Sequence, residues 1–485
     1  QNPSLASPSL SWTHQEKDAV DELKREYLAP KSFARMGPAV AVGDVNGDGR
    51  EDMYLGGALD QAGAIFTQNA QGGFNPVDNP MFEMLAKAED IVAEFADFNG
   101  DGFLDLFVGS GGNEYESGSM YNFDRIFFGN GQGQFQFSMN SLPPIGENTS
   151  CVAIHDVDQD GDLDLFVGSS VRAGDYGASP KSSLLINQGN GQFKDETQKW
   201  LGANWDGGMV NSATWADLDG DGKASLLLTG DWQGIRVFHP QEGGKLAENP
   251  LPGLEFSAGW IQSLAVGDVN GDGRKDILVG NLGTNTKLKA SQEKPLWLYH
   301  HDFDGNGQAD PLIFHYMGEK LVPFGTRDDL IRQIPSLKKN HSSYSEYAKI
   351  KTPEDLFPKT VLDKARKLAA YNFQSGVYFQ DAKGGFDFVP FPNQAQWSPI
   401  TSIRFSAADG QVWLGGNFTG FRADLGRSLN TPPLSYVWKN GTWVSLPIQA
   451  SAPGPVELRS LHFVQVQGKR WVLGAKNGSA PLWMQ

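Results

Sequence analysis

Acidic residues recur at alternate positions of short glycine-containing loops, and this spacing suits the binding of a metal ion. The first loop has Asp44, Asn46, Asp48 and Asp52 at positions one, three, five and nine. The carbonyl group of Arg50 can supply a further oxygen, and Gly49 permits the sharp turn. Calcium takes roughly six to eight oxygen ligands, whereas magnesium prefers fewer protein ligands and retains water. The loop therefore predicts a calcium site.

The same spacing returns five more times along the chain. The residues at positions one, three, five and nine are Asp97, Asn99, Asp101 and Asp105 in the second loop, Asp156, Asp158, Asp160 and Asp164 in the third, Asp217, Asp219, Asp221 and Ser225 in the fourth, Asp268, Asn270, Asp272 and Asp276 in the fifth, and Asp302, Asp304, Asn306 and Asp310 in the sixth. A single loop of this kind could be an ordinary turn, because Asp, Asn and Gly are common turn residues. Five complete copies predict about five or six calcium ions, while the fourth loop lacks its last carboxylate.

These loops account for much of the acidity of the chain. The 485 residues carry a formal charge of −17, and 19 of the 57 acidic residues stand at the ligand positions. Six divalent ions would bring that charge to about −5. The acidity therefore indicates metal ligation, and it argues against a nucleic-acid partner, which would need a basic surface.

Several features of the sequence indicate an exported protein. Cys151 is the single cysteine and begins the apolar stretch CVAIHDV, which predicts a buried thiol and no internal disulfide. No apolar run reaches the length of about 18 residues that spans a membrane. Residues 1–13 are rich in Pro and Ser and predict an exposed tether, with a lipid anchor expected before Gln1. Because weak calcium loops fill at roughly 10⁻⁴ to 10⁻³ M, we expect a location outside the cytoplasm.

Short apolar strands with small-residue endings follow the loops. Such endings are YLGG at 54–57, FVGS at 107–110, FVGS at 166–169, LLTG at 227–230, LVGN at 278–281, WLGG at 413–416 and VLGA at 472–475. Most are followed by a second hairpin, such as AIFTQNAQGGF or LLINQGNGQF. Two hairpins in each repeat of roughly 50 to 60 residues predict an all-β β-propeller with seven blades, or eight. A β-sandwich is the alternative, but it would not explain the period.

The unit GDVNGDGREDMYLGG resembles the FG-GAP or VCBS repeat, which builds the propeller of integrin α-subunits and of many exported bacterial proteins. The resemblance extends well over residues 36–318 and more loosely over 374–485. It implies calcium binding through loop positions one, three, five, seven and nine. Position seven, which would act through its backbone carbonyl, is held by Arg50, Phe103, Asp162, Lys223, Arg274 and Gln308.

Two segments carry helical patterns outside the repeats. Residues 14–35 predict an N-terminal helix that acts as a cap or strut. Residues 319–373 predict a helical insert in the propeller domain of residues 36–485, with a capping pair formed by Thr352 and Asp355. The insert has a net positive charge on an otherwise acidic protein. It either packs across one propeller face or docks a partner. The hairpin at 295–318 is either an eighth inner hairpin or the second half of the fifth blade.

Three function classes remain open at the level of the sequence. A non-catalytic scaffold that binds other exported or outer-membrane proteins is favoured, because the conspicuous chemistry holds loops in place. A glycan-binding module is the second class, with Trp200, Trp205, Trp232 and Trp260 as candidate sugar platforms. A calcium-assisted polysaccharide-degrading enzyme is the third class, with Glu114 and Tyr115 as acid/base candidates. The sequence contains no familiar hydrolase, metalloprotease or phosphate-loop motif.

Overall fold

A computed structural model shows that the chain forms small antiparallel sheets. It describes residues 7–17, 22–452 and 454–485. The strands are β1 Val40–Gly43, β2 Asp52–Leu55, β3 Ala64–Gln68, β4 Phe74–Val77, β5 Glu89–Ala96, β6 Asp105–Gly111, β7 Arg125–Gly129, β8 Phe135–Ser138, β9 Asn148–His155, β10 Asp164–Val171, β11 Ser183–Asn187, β12 Phe193–Asp195, β13 Met209–Ala216, β14 Ser225–Gln241, β15 Lys245–Glu248, β16 Gly259–Trp260, β17 Ser263–Gly267, β18 Asp276–Gly280, β19 Leu296–His301, β20 Asp310–Met317, β21 Lys320–Pro323, β22 Arg366–Ala370, β23 Gly376–Gln380, β24 Phe386–Pro390, β25 Ile400–Ser406, β26 Gln411–Gly416, β27 Leu434–Lys439, β28 Thr442–Leu446, β29 Leu458–Val466, β30 Lys469–Lys476 and β31 Leu482–Met484.

Helices are short and few among the described residues. The α-helices are α1 Pro80–Met84, α2 Thr197–Leu201, α3 Arg327–Gln333, α4 Tyr344–Tyr347 and α5 Lys359–Leu362. The 3-10 helices are Glu22–Lys24, Met120–Asn122, Pro335–Lys339, Pro353–Asp355 and Asn393–Gln396. None of these described helices has the length and apolarity needed to cross a membrane.

The sheets form a β-propeller, as the repeats predict. The first strands β1, β5, β9, β13, β17, β25 and β29 contact one another in this order, and β29 also contacts β1. Six of these strands line a cavity of about 490 Å³ inside the ring. The second strands β2, β6, β10 and β18 are buried along their whole length, because neighbouring sheets cover both of their faces. This burial explains why each of them is a short continuous apolar run.

An eighth sheet stands apart from this ring of contacts. Its strand order is β21-β20-β19-β22, and it is inserted between β18 and β23, which pair with each other in one blade. Leu296, Leu298 and Ile313 of the inserted sheet pack in one apolar cluster with Trp232 and Trp260 of the propeller. The interruption therefore begins before residue 319, and the hairpin at 295–318 belongs to neither of the two predicted arrangements. Helices α3, α4 and α5 fill only part of the predicted helical insert.

The segment before the first blade differs from the predicted helix. Within 14–35 the described residues contain only the 3-10 turn Glu22–Lys24, and residues 18–21 lie outside the described part. Instead of bonding within a helix, the side chains of this segment bond to the blades. Glu26 accepts a hydrogen bond from the Tyr176 amide (3.0 Å), and the Lys31 ammonium pairs with the buried Asp231 carboxylate (2.7 Å). The segment therefore fastens several blades together.

Part of the predicted tether is also packed against the propeller. The Phe74 amide donates to the Ser9 carbonyl (2.8 Å), and Leu10 forms a parallel bridge with Phe74. Leu10 and Trp12 pack against the apolar cluster shared by the first and last blades. Residues 1–6 of the tether lie outside the described residues.

Candidate metal sites in the strand-linking loops

The first five acidic loops link the first and second strands of five successive blades. In each blade the residue before the loop pairs with position nine, as Gly43 does with Asp52 and His155 with Asp164. The five loops therefore share one structural position. The sixth loop links β19 and β20 of the inserted sheet, where His301 pairs with Asp310. It is thus a loop of the same chemistry outside the blades.

The backbone of each loop wraps around the carboxylate at position one. In the fifth loop Asp268 accepts hydrogen bonds from the amides of Gly271 (2.7 Å), Asp272 (3.0 Å) and Gly273 (2.9 Å). Gly271 and Gly273 have φ of 75° and 88°, a conformation that side chains with a Cβ rarely adopt. This curvature brings alternate side chains toward one point.

The carboxylate at position nine is buried in the five loops that have one. Asp52, Asp105, Asp164, Asp276 and Asp310 are each 0% exposed. One oxygen accepts from the amide at position two, with distances of 3.1, 2.9, 2.7, 2.8 and 3.1 Å in that order. Burial raises the pKa of Asp52, Asp105, Asp164 and Asp310 to about 6 and also raises that of Asp276. A bound cation would favour the ionised form and offset this effect.

The second oxygen at position nine reaches across to the third strand of the sheet. It accepts from the amides of Gln68 (2.8 Å), Gly129 (2.9 Å), Asn187 (2.8 Å) and Gln380 (3.0 Å) in the first, second, third and fifth loops. In the sixth loop the donor is instead the side-chain amide of Gln333 in α3, at 2.9 Å from Asp310. The sixth loop is therefore tied to the inserted helix.

Three loops bring carboxylates close enough to share an ion. The ligand oxygens of Asp156, Asp158 and Asp164, of Asp217, Asp219 and Asp221, and of Asp302, Asp304 and Asp310 lie within 4.8 Å of one another. The Oδ1 atoms of Asp156 and Asp304 are buried and have no hydrogen-bond partner. Because an unpaired buried carboxylate oxygen is unfavourable, a cation fits these two positions well.

The first and fifth loops each hold their carboxylate at position five with an arginine. The Arg50 Nε donates to the Gln68 carbonyl (2.8 Å), and its guanidinium pairs with Asp48. Arg274 makes the equivalent bonds to the Gln380 carbonyl (2.9 Å) and to Asp272. The side chain at position seven thus ties these loops to the third strand, while its backbone carbonyl stays the predicted ligand.

The fourth loop differs from the others at position nine, as its sequence predicts. Ser225 Oγ lies 2.8 Å from His239 Nδ1 and makes none of the amide bonds that the carboxylate makes elsewhere. Asp217, Asp219 and Asp221 remain clustered at the surface. This loop keeps three candidate ligands and lacks the buried fourth.

Side-chain amides tie the loops to neighbouring blades. The sequence analysis did not predict these bonds. Asn187 Nδ2 donates to the Phe98 carbonyl at position two of the second loop (2.8 Å), and Gln380 Nε2 donates to the Leu218 carbonyl at the same position of the fourth (3.0 Å). Gln68 likewise donates to the Gln465 carbonyl of the last blade (3.0 Å). A signal existed in the sequence, because Gln68, Asn187 and Gln380 stand at the same place in their hairpins.

The candidate sugar platforms are largely buried. Trp200, Trp232 and Trp260 are 6%, 3% and 1% exposed, and Trp205 packs edge-on against two phenylalanines of the core. These rings are therefore packing residues of the propeller, and the sugar-platform interpretation was wrong for the three most buried ones.

The acid/base candidates lie on the second blade. Burial raises the pKa of Glu114 to about 8, and the Tyr115 hydroxyl donates to the Lys87 carbonyl (3.2 Å). Their role in acid/base chemistry stays a prediction. Cys151 is buried and free, as its apolar context predicts.

The repeats match known repeat families. A profile described as the FG-GAP-like repeat matches residues 44–108, 97–167 and 171–228, and one described as the FG-GAP repeat matches 260–287. Together these matches include the first five acidic loops. These parts of the chain are therefore FG-GAP repeats. Integrin alpha-V of Gallus gallus is 30% identical to the chain over 165 residues, which cover 30% of this chain and only 16% of the integrin.

Two solved structures are similar to this chain at lower sequence identity. The V. cholerae biofilm matrix protein Bap1 has 10% identity and a TM-score of 0.40, with 98% of this chain and 90% of that chain covered. An Agrocybe aegerita lectin that recognises non-reducing terminal N-acetylglucosamine has 18% identity and a TM-score of 0.32, with 61% of this chain and 77% of the lectin covered. Neither similarity supports a functional statement, since both TM-scores are below 0.5.

Proposed function

We propose that this protein is a calcium-stabilised, non-catalytic scaffold that binds other proteins at the bacterial cell surface, outer membrane or periplasm. The observation that carries the calcium part is the pair of buried, unpartnered oxygens on Asp156 and Asp304 within carboxylate clusters. Oxygen-rich loops of this kind suit calcium at extracellular concentrations of roughly 10⁻⁴ to 10⁻³ M. About five or six ions would then hold the loops rigid.

We also propose seven blades for the propeller. The support is the closed series of contacts among seven first strands, from β1 to β29 and back to β1. The eighth sheet does not enter this series, and β22 contacts β14 and β16 instead.

The scaffold role is supported by the surface of the helical insert. Lys338, Lys339 and Lys351 are exposed there on a chain whose overall formal charge is −17. A basic surface on an acidic protein favours encounter with an acidic partner surface. We propose that the partner is another exported or outer-membrane protein of this kind.

Two experiments test the proposal separately. Equilibrium dialysis should find several bound calcium ions, and chelation should lower the melting temperature, because each site adds roughly 2.7 kcal/mol at a hundredfold excess over Kd. Melting that is indifferent to chelator would show that the loops are only turns.

Purification of the native assembly should yield a stoichiometric partner. The charge reversal Lys338→Glu with Lys339→Glu should release this partner, whereas the control Lys383→Glu on a blade hairpin should not.

The glycan-binding and polysaccharide-degrading alternatives have distinct outcomes. Sugar binding without a protein partner would favour the first, and new reducing ends or unsaturated products from polysaccharide mixtures would favour the second. Loss of such an activity in Glu114→Gln would then identify the acid/base residue.

A further inference from the structure

One tryptophan of the chain stands apart from the other twelve. All 13 tryptophans lie within the described residues, and Trp397 is the one whose side chain is classed as exposed, at 40%. A large aromatic ring left in water forgoes the stabilisation that burial would give it. The ring of Trp397 is therefore open to contact with a ligand.

Trp397 forms one wall of an open depression at the seam between two blades. The depression has a volume of about 520 Å³ and is wide open to solvent, and its other lining residues are Thr284, Asn285, Asn393 and Asn430. Thr284 and Asn285 follow β18, Trp397 precedes β25, and Asn430 precedes β27. Three segments more than thirty residues apart are thus brought to one place.

The chemistry of this lining is polar and uncharged. Three carboxamides and one hydroxyl surround the indole ring, and each carboxamide offers both donors and an acceptor. Asn393 and Asn430 are exposed, and their side chains form no hydrogen bond within the described structure. At the rim the Lys289 ammonium donates to the Thr284 carbonyl (2.9 Å). The lining suits a neutral ligand with many hydroxyl groups.

The depression is also rigid. The amides of Thr284 and Asn285 donate to the Gln396 carbonyl (2.9 and 3.2 Å), and the Asn285 side chain donates to the Trp397 carbonyl (3.2 Å). Gln396 itself is 4% exposed and donates to the Ser375 carbonyl (2.8 Å). The backbone here and the Asn285 side chain are therefore already held in place, and they lose little freedom when a ligand binds.

We propose that this depression, the Trp397 site, binds a neutral pyranose sugar. The apolar face of the sugar ring would lie on the indole, and its hydroxyl groups would exchange hydrogen bonds with Asn393 and Asn430. A single sugar ring is small, so the expected Kd is on the order of 1 mM. The site does not involve the acidic loops, so its test and that of calcium binding can fail independently.

Isothermal titration calorimetry with the methyl glycosides of glucose, galactose, mannose and N-acetylglucosamine tests the proposal on the full chain in calcium. At least one of these sugars should bind and quench tryptophan fluorescence. Trp397→Ala should lose at least tenfold in affinity and the quench, and Asn430→Ala should lose affinity with Trp397 intact. Tyr121→Ala, which removes an exposed ring from another blade, should bind as the wild type does.

Melting temperatures of the three variants establish that each is folded before binding is measured. Absence of binding by all four glycosides in the wild-type protein would overturn the proposal. Binding that survives both Trp397→Ala and Asn430→Ala would place the sugar elsewhere and would overturn it as well.

Discussion

The carboxylate at position nine should have a structural role that is separable from metal binding, and the third loop allows this to be measured. Asp164 accepts hydrogen bonds from the amides of Val157 (2.7 Å) and Asn187 (2.8 Å) and is 0% exposed. Asp164→Ala leaves the buried Asn187 amide and the partly buried Val157 amide without a partner, at a cost of roughly 1 to 3 kcal/mol each. We therefore expect a loss of about 2 to 6 kcal/mol in the free energy of unfolding, even without calcium.

Asp160 in the same loop provides the matched control. It is exposed and accepts one local hydrogen bond, from the Asp162 amide at 2.9 Å. In chelator Asp160→Ala should change the free energy of unfolding by about 0.5 kcal/mol or less. In calcium at a hundredfold excess over Kd the same variant should lose roughly 2.7 kcal/mol, because one site no longer binds.

Urea unfolding of the wild type and of both variants, followed by tryptophan fluorescence in chelator and in calcium, measures these losses. The slope of the free energy against urea should be the same in all variants, so that midpoints report stability. Equal losses for Asp164→Ala and Asp160→Ala in chelator would refute the structural role of position nine. An Asp160→Ala protein that gains as much from calcium as the wild type does would refute the role of Asp160 as a ligand.

Three further outcomes follow from the structure. Calcium bound to the sixth loop should slow hydrogen exchange in α3, because the Gln333 side chain in α3 bonds to Asp310. Gln333→Ala removes this bond and should abolish the slowing, although the other loops still bind calcium. Slowing that persists in this variant would contradict the coupling. Burial raises the pKa of Glu26 from 4.5 to about 7, so the native state holds this proton longer and the free energy of unfolding falls by up to roughly 3 kcal/mol as pH rises through that window. Glu26→Gln should flatten that fall in urea unfolding measured from pH 4 to 8, and an unchanged profile would contradict it. Asn187→Ala breaks the hydrogen bond to the Phe98 carbonyl between blades and should lower the urea midpoint by an amount equivalent to roughly 1 to 3 kcal/mol. Gln188 bonds within its own blade, so the control variant Gln188→Ala should leave the midpoint nearly unchanged.

The acidic loops and the buried second strands could be predicted from the sequence, because both depend on residues that are close together in the chain. The acidic loops follow a fixed nine-residue spacing, and the backbone itself curls around the carboxylate at position one. The buried second strands are short apolar runs with small-residue endings, so their number and period predict a propeller. The serine at 225 likewise marks the fourth loop as different, and Ser225 does bond elsewhere.

Contacts between distant segments decided the rest. The sequence from 295 to 318 has the pattern of a blade hairpin, yet it joins β21 and β22 in a separate sheet. Leu296 and Leu298 of this sheet are buried against apolar residues of the propeller. Helical spacing before the first blade is overridden by bonds from Glu26 and Lys31 to the blades. Trp397 is more exposed than the other tryptophans because of how two blades meet, and the local sequence does not predict that.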